Sequence, residues 1–270
     1  MGFEEMALSQ TVGAEIRGVD LRAVADPATA QRLRAVFRDR HLLLIRQPGI
    51  GEDDQRRFAE LFGEVSIRYL RSNEKRDSRI QYVSNTRPDG ILGDGEIVFH
   101  QDHVFYDRPL TAIILYALEI PRSGSATKFR NAHTILGCLP GDLLARARQV
   151  RVLHLFNYEG DYAGWQDPAK APPDSPRAWQ PLVWTNPETG KDALWISPLT
   201  TVGFDGVGLE DGRRLIDELS ARAAEIECDH TYVHDWTPGD LVIWDNRMLH
   251  HARLPFRSAE ARTLRRSAIA

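Results

Sequence analysis

From Arg79 to the end, this chain is cut into short apolar or alternating runs, and that pattern constrains its fold more than any other feature. "RIQYVSN", "TAIILYALEI", "QVRVLHLF", "PLVWTN", "DALWIS", "CDHTYVHDW", "DLVIWD" and "TLRRSAI" follow one another, each bounded by Pro, Gly, Asp or Asn. Runs of that length with β-branched and aromatic residues between turn-formers read as strands. So many short strands suggest a mostly β molecule, a double-sheet jelly roll with a few flanking helices. The helices are also legible. Asp26-Pro27 reads as a cap and a first-turn proline, followed by Leu33, Val36 and Phe37 on one face up to about Arg40. A second helix starts near Glu52 and turns Phe58, Leu61 and Phe62 inward before Gly63. A third covers Leu209–Ala223, with Leu215, Ile216 and Leu219 on one side. Between the first two, "HLLLIR" (His41–Arg46) reads as a buried strand. No internal repeat appears, so residues 1–270 are expected to form a single domain. The Pro-, Asp- and Gly-rich segment 157–181 has no periodicity and is expected to be a lid or a long insertion.

Composition excludes several function classes. Of 270 residues, 42% are hydrophobic and 27% charged, with a formal net charge of −4 and both signs interspersed. No basic field suggests nucleic acid or anionic lipid as partner. No run approaches membrane length, and "MGFEEMALSQ" lacks a signal pattern, so no membrane association is expected. Cys138 and Cys228 are far apart and form no metal-type pair, which favours a reducing, cytoplasmic setting. A homo-oligomer is expected.

Chemistry concentrates in two places. In "IVFHQDHVF", His100 and Asp102 are separated by one residue, so on a strand they project to the same side and can approach one divalent ion. A chain with this many acids and nine histidines also produces such a spacing by chance. In "IWDNRMLHHAR", His250 and His251 are adjacent and face opposite ways on a strand, so at most one can join them. Two histidines and one carboxylate on one face of an octahedral iron leave three positions open. Further on, Arg262, Leu264 and Arg266 share one face of the last strand, while Thr263 and Arg265 take the other. Two inward guanidiniums suit a dianionic ligand, although charge near a chain end is more often simply solvated.

Together these blocks resemble the taurine dioxygenase/TfdA-like (TauD/TfdA) family of Fe(II)- and 2-oxoglutarate-dependent dioxygenases. The resemblance spans nearly the whole chain. It includes "VGAEIRGVDL" as an opening hairpin, "HLLLIRQPGIGEDDQRRFAELFGEV" as strand, turn and helix, "FHQDHVFYDRP", "LVWTNPETGKDALWISPLTT", and above all "PGDLVIWDNRMLHHA". The family's distal histidine lies seven residues beyond the Trp of Trp-Asp-Asn-Arg, which gives His251. The resemblance therefore implies a double-stranded β-helix (cupin-like) core with His100, Asp102 and His251 as iron ligands. It implies Arg262 and Thr127 as partners of the far carboxylate of 2-oxoglutarate, and Arg266 near both the co-substrate and the substrate. Dioxygen is the second co-substrate; succinate and CO2 are the co-products. Asp102 argues against halogenation, since chlorinating relatives carry a small residue there.

The match is weakest around the substrate. Arg68 and Arg71 stand where taurine-type enzymes carry a His and a Tyr, and Glu96 or a neighbour replaces an asparagine, so taurine is not expected. Arg68 and Arg71 read either as an anion clamp or as solvated loop charge. Phe156 and Leu199 match apolar pocket positions, though either could be core. His103 is placed at the pocket mouth rather than on the metal, and His154 reads as a structural histidine. The expected substrate is a small organic acid, hydroxylated by default. An amino acid or secondary metabolite with another oxidative outcome is the alternative. A cupin-like binding protein without turnover is the reading from a different class.

Overall fold

The computed structural model describes residues 2–23, 26–67, 79–91, 96–157, 165–257 and 259–270. Its first part runs β1 (Glu4–Ala7), β2 (Ala14–Arg17), α1 (Pro27–Arg40), β3 (Leu42–Ile45) and α2 (Glu52–Glu60). Asp26 caps α1 by accepting from the amides of Ala28 and Thr29, with proline in the first turn. Next come β4 (Gln81–Ser84), β5 (Gly90–Ile91), β6 (Ile97–His100), β7 (Ala112–Glu119) and β8 (Thr127–Asn131). A middle section holds α3 (Ala132–Gly137), α4 (Gly141–Ala147), β9 (Arg151–Leu155), β10 (Arg177–Pro181), β11 (Val183–Thr185), β12 (Asp192–Leu194), β13 (Thr201–Asp205) and α5 (Leu209–His230). The last strands are β14 (Thr231–His234), β15 (Leu241–Asp245), β16 (Leu249–Arg253) and β17 (Thr263–Ile269).

Two sheets form the core. The larger has the order β1-β2-β3-β15-β7-β17-β4-β5, and the smaller β14-β8-β16-β6. From β6 to β8 and again from β14 to β17, consecutive strands alternate between the two sheets. That winding is a double-stranded β-helix, the jelly roll expected from the run pattern. The central strands β3, β7 and β15 of the larger sheet are covered on both faces, so they are apolar at nearly every position. Leu43, Ile45, Ile114, Tyr116, Leu241 and Ile243 point outward, under Leu33, Val36 and Phe37 of α1 and Phe58 of α2. Their neighbours Leu42, Leu44, Ile113, Leu115, Val242 and Trp244 point inward, toward Phe129 and Leu249 of the smaller sheet. The period of two fixes which residues face the inside.

Parity on β17 is held by α2. Arg265 points outward, donating through Nε to Gln55 Oε1 at 2.7 Å and through Nη2 to the carbonyls of Ile50 and Gly51 at 2.9 and 3.0 Å. Gln55 returns a bond to the Arg265 carbonyl at 3.2 Å. With Arg265 locked outside, Leu264 and Arg266 must face inward.

Several elements differ from the sequence reading. α5 runs on to His230, past Ala223, because no Gly or Pro interrupts "AAEIECDH"; the strand begins only at β-branched Thr231. Segment 157–181 is not a loop throughout. Arg177–Pro181 pairs with β9 as a strand, and Pro168–Lys170 forms a 3-10 turn, while 158–164 fall outside the described residues. Asp102 is not on a strand: β6 ends at His100 and Asp102 sits in the turn that follows. His103, at φ 60, reverses the chain there.

Candidate active site

β6 and β16 lie side by side with His251 opposite His100, which places the two imidazoles on the inner face of the smaller sheet, 4.2 Å apart between ring centroids. The turn after β6 swings the Asp102 carboxylate back beside them. Its Oδ1 lies 3.3 Å from His100 Nε2 and 3.9 Å from His251 Nε2. One ligand atom from each of the three falls within 4.8 Å of the others, and no other such group occurs among the described residues. His100 Nδ1 meets the Val98 carbonyl at 2.9 Å. A carbonyl can only accept, so the proton sits on Nδ1 and the Nε2 lone pair faces the carboxylate, as a metal ligand requires. Burial pushes His251 down to about 3, so its imidazole is neutral near pH 7. Asp102 is held well below the usual carboxylate range, against its own burial, by its contact with His100 and the charge of Arg266. Two imidazoles and one carboxylate in a half-enclosed cleft fit a divalent ion with open positions.

Two residues brace Asp102, one through its backbone and one through its carboxylate. Asn246, in the turn after β15, accepts from the Asp102 amide at 2.8 Å and donates to the carbonyls of Asp102 and Leu110 at 2.8 and 2.9 Å. Arg266 donates from Nη2 to Asp102 Oδ2 at 3.0 Å and from Nη1 to Gln81 Oε1 at 2.9 Å. Arg266 thus steadies the carboxylate of the triad here, rather than standing open toward a substrate anion.

A cavity of about 50 Å³ leads from the triad between the two sheets and is lined on the far side by Thr127, Arg253 and Arg262. Arg262 precedes β17, is 2% exposed, and its Nε has no hydrogen-bond partner among the described residues. Burial, with the charge of Arg253 added, lowers it to about 9, which still leaves it cationic at neutral pH. A buried cation with an unmet donor is costly unless an anion joins it. Thr127 accepts from Trp236 Nε1 at 2.9 Å. Since an indole can only donate, the threonine proton remains available to an acceptor in the cavity. A cation, a free hydroxyl proton and a metal-type triad in one narrow space fit a dicarboxylate bridging them.

A second cavity, of about 160 Å³, opens on the other side of His100 and Asp102. It is mainly apolar, walled by Ile97, Phe105, Phe156 and Leu199, with His103 and Glu96 also on its surface. Phe105 and Phe156 stack at 4.8 Å and 16°. Gln180 on β10 donates to the carbonyls of Val104 and Tyr106 at 3.1 and 2.8 Å, tying β10 to the turn that carries His103 and Phe105.

His100, Asp102, His251, Thr127, Arg262 and Arg266 are thus brought to one cavity, and His103, Phe156 and Leu199 to its neighbour. Arg68 and Arg71 lie outside the described residues. His250 faces away and is fully used, with Nδ1 accepting from Arg130 Nε at 3.1 Å and Nε2 donating to the Leu194 carbonyl at 2.7 Å. His154 is also buried, against the Thr200 hydroxyl at 2.9 Å. Asn246, Gln81, Trp236, Arg253 and Gln180 were given no role in the sequence reading. Only Asn246, inside the quoted Trp-Asp-Asn-Arg run, carried a signal that could have been read.

The model of the taurine catabolism dioxygenase TauD, TfdA family matches residues 5–268. The chain belongs to this family. Among curated members, pentalenolactone F synthase of Streptomyces avermitilis is 29% identical over 94% of this chain and 90% of its own length. The (S)-phenoxypropionate/alpha-ketoglutarate-dioxygenase of Sphingobium herbicidovorans is 28% identical, covering 99% and 95%. Among solved structures, AAD-2 in complex with Mn(II) and N-oxalylglycine superposes with a TM-score of 0.84 at 23% identity, over 100% of this chain and 98% of that one. A taurine dioxygenase from Burkholderia xenovorans does so at 0.80 and 24%, over 100% and 91%. These structural likenesses establish the shared family fold. No helix among the described residues is long and apolar enough to cross a membrane.

Proposed function

We propose that the chain is an Fe(II)- and 2-oxoglutarate-dependent dioxygenase of a small organic acid, with His100, Asp102 and His251 holding the iron. Iron, 2-oxoglutarate and dioxygen together supply the oxidant for a substrate C–H bond, leaving succinate and CO2; the protein's part is position and a dry cavity. The observation that carries this reading is the narrow cavity with the triad at one end and Thr127 and buried Arg262 at the other. Arg262 and the Thr127 hydroxyl bind the far carboxylate of 2-oxoglutarate. Arg266 and Asn246 keep the Asp102 carboxylate aimed at the metal. The substrate takes the apolar cavity, its body on the Phe105–Phe156 stack and its reacting carbon toward His100 and Asp102. Hydroxylation is the default outcome.

That cavity favours an acid with an apolar, ring-sized body over a small sulfonate. The relative named for phenoxypropionate supports this choice. The relative named for pentalenolactone F keeps a secondary-metabolite substrate as the second reading. The intact triad and Arg262 weigh against a binding protein without turnover. The test is an anaerobic titration of the apoprotein with Fe(II) and 2-oxoglutarate, read by the visible metal-to-ligand charge-transfer band. The band should form in wild type and in His250→Gln but not in His251→Ala, with circular dichroism checking that each is folded. No band in folded wild-type protein ends the oxygenase reading. Substrate-dependent succinate release across aryl-substituted acids and secondary metabolites then separates the two substrate classes.

A further inference from the structure

We infer that Arg253 is a second carboxylate-binding residue, acting with Arg262 and Thr127 so that the far end of a dianionic 2-oxo acid meets two guanidiniums instead of one. The inference rests on the reading above that this cavity takes 2-oxoglutarate.

Arg253 is two residues beyond His251 on β16, so strand alternation puts both on the inner face. Across the ladder to β8, Arg253 stands directly opposite Thr127. Directly opposed residues share a face, with Cβ atoms about 5 Å apart, so guanidinium and hydroxyl are presented to the same space. Arg262 approaches from the larger sheet. Phe256 binds the two together: each guanidinium carbon lies 5.7 Å from the centroid of its ring. Both arginines are buried, at 7% and 2% exposure, and both line the cavity that contains the triad. Two buried cations converging on one small cavity repel each other, and their proximity already depresses the basicity of Arg262. A single carboxylate placed between them turns that repulsion into two charge-assisted bonds. The metal-distal end of the cavity therefore offers two guanidiniums to a negative charge, and a 2-oxo acid lacking the far carboxylate leaves the Arg262 Nε without an acceptor.

Calorimetric titration of Mn(II)-loaded protein with N-oxalylglycine, and in parallel with the monoanionic 2-oxovalerate, tests this without turnover. Arg253→Met should weaken N-oxalylglycine binding by about 10- to 100-fold, as expected for a buried charge-assisted bond. It should leave the weaker binding of 2-oxovalerate within about twofold of wild type. Arg253→Lys should restore part of the loss, because it returns the charge without the fork. The inference is overturned if folded Arg253→Met binds N-oxalylglycine as wild type does. It is equally overturned if both ligands weaken alike, since the residue would then act on the shape of the cavity and not on the far charge. Failure of wild-type protein to bind N-oxalylglycine at all would instead reject the dioxygenase reading beneath it.

Discussion

Asp102 occupies a turn, and turns move more easily than strands, so its aim depends on what grips it. Asn246 makes three hydrogen bonds to that turn and to Leu110, and Arg266 clamps the carboxylate itself. Asn246→Ala removes all three bonds and frees the backbone between His100 and Asp102. Metal affinity should fall by about 10- to 100-fold, the usual cost of losing support behind a ligand. A Mn(II) titration followed by electron paramagnetic resonance reads this directly. Unchanged affinity in the folded variant would mean that Arg266 alone fixes the carboxylate. The His-x-Asp spacing and the count to His251 were legible in the sequence, because ligand spacing is a local property. The brace was not. Asn246 and Asp102 are 144 positions apart, and only the β15 turn brings them together.

At the level of elements, the central strands β3, β7 and β15 of the larger sheet announced themselves because both their faces are apolar. β10 did not, and the reason is physical. Its inward positions are Ala178 and Gln180 and its outward ones Arg177 and Trp179, so the period of two is present but carries no hydrophobic signal. β8 escaped in the same way, with Phe129 its one apolar residue among Thr127, Lys128, Arg130 and Asn131. Strands that serve a polar job are the ones hydrophobicity hides. Gln180→Leu keeps the size of the side chain but strips the two bonds that hold the turn bearing His103 and Phe105. The Michaelis constant for the organic substrate should rise at least severalfold, while the affinity for N-oxalylglycine stays near wild type, because the co-substrate cavity lies on the other side of the triad. Steady-state kinetics in the substrate, set beside calorimetry in the co-substrate, makes the comparison. Equal losses in both would place Gln180 in general stability instead of in the substrate wall.

Across the whole molecule, the interior holds an unusual set of neutral histidines. Burial lowers His154 and His234 to about 3 each, and lowers His41, His250 and His251 as well. In the unfolded chain such groups take up protons near pH 6.5; in the folded chain they do not until far lower pH. Between those limits the unfolded state binds more protons, so stability rises with pH and is lost as pH falls below about 6.5. For His154 and His234 the window runs from about 6.5 down to about 3, at about 1.4 kcal/mol per group for each pH unit once well inside it. Asp102, depressed by its partners, adds a loss of the same sign, but only below the ordinary carboxylate range. The melting temperature of the apoprotein should therefore drop steeply between pH 7 and pH 5, well before carboxylates titrate. His154→Gln can keep a hydrogen bond to Thr200 while removing one titrating group, so the slope of unfolding free energy against pH should fall by about one proton between pH 5.5 and 4.5. Urea melts at several pH values measure that slope. A wild-type stability that is flat from pH 7 to 5 would show that these histidines are already protonated in the folded interior. Their burial would then be sustained by partners other than those described here.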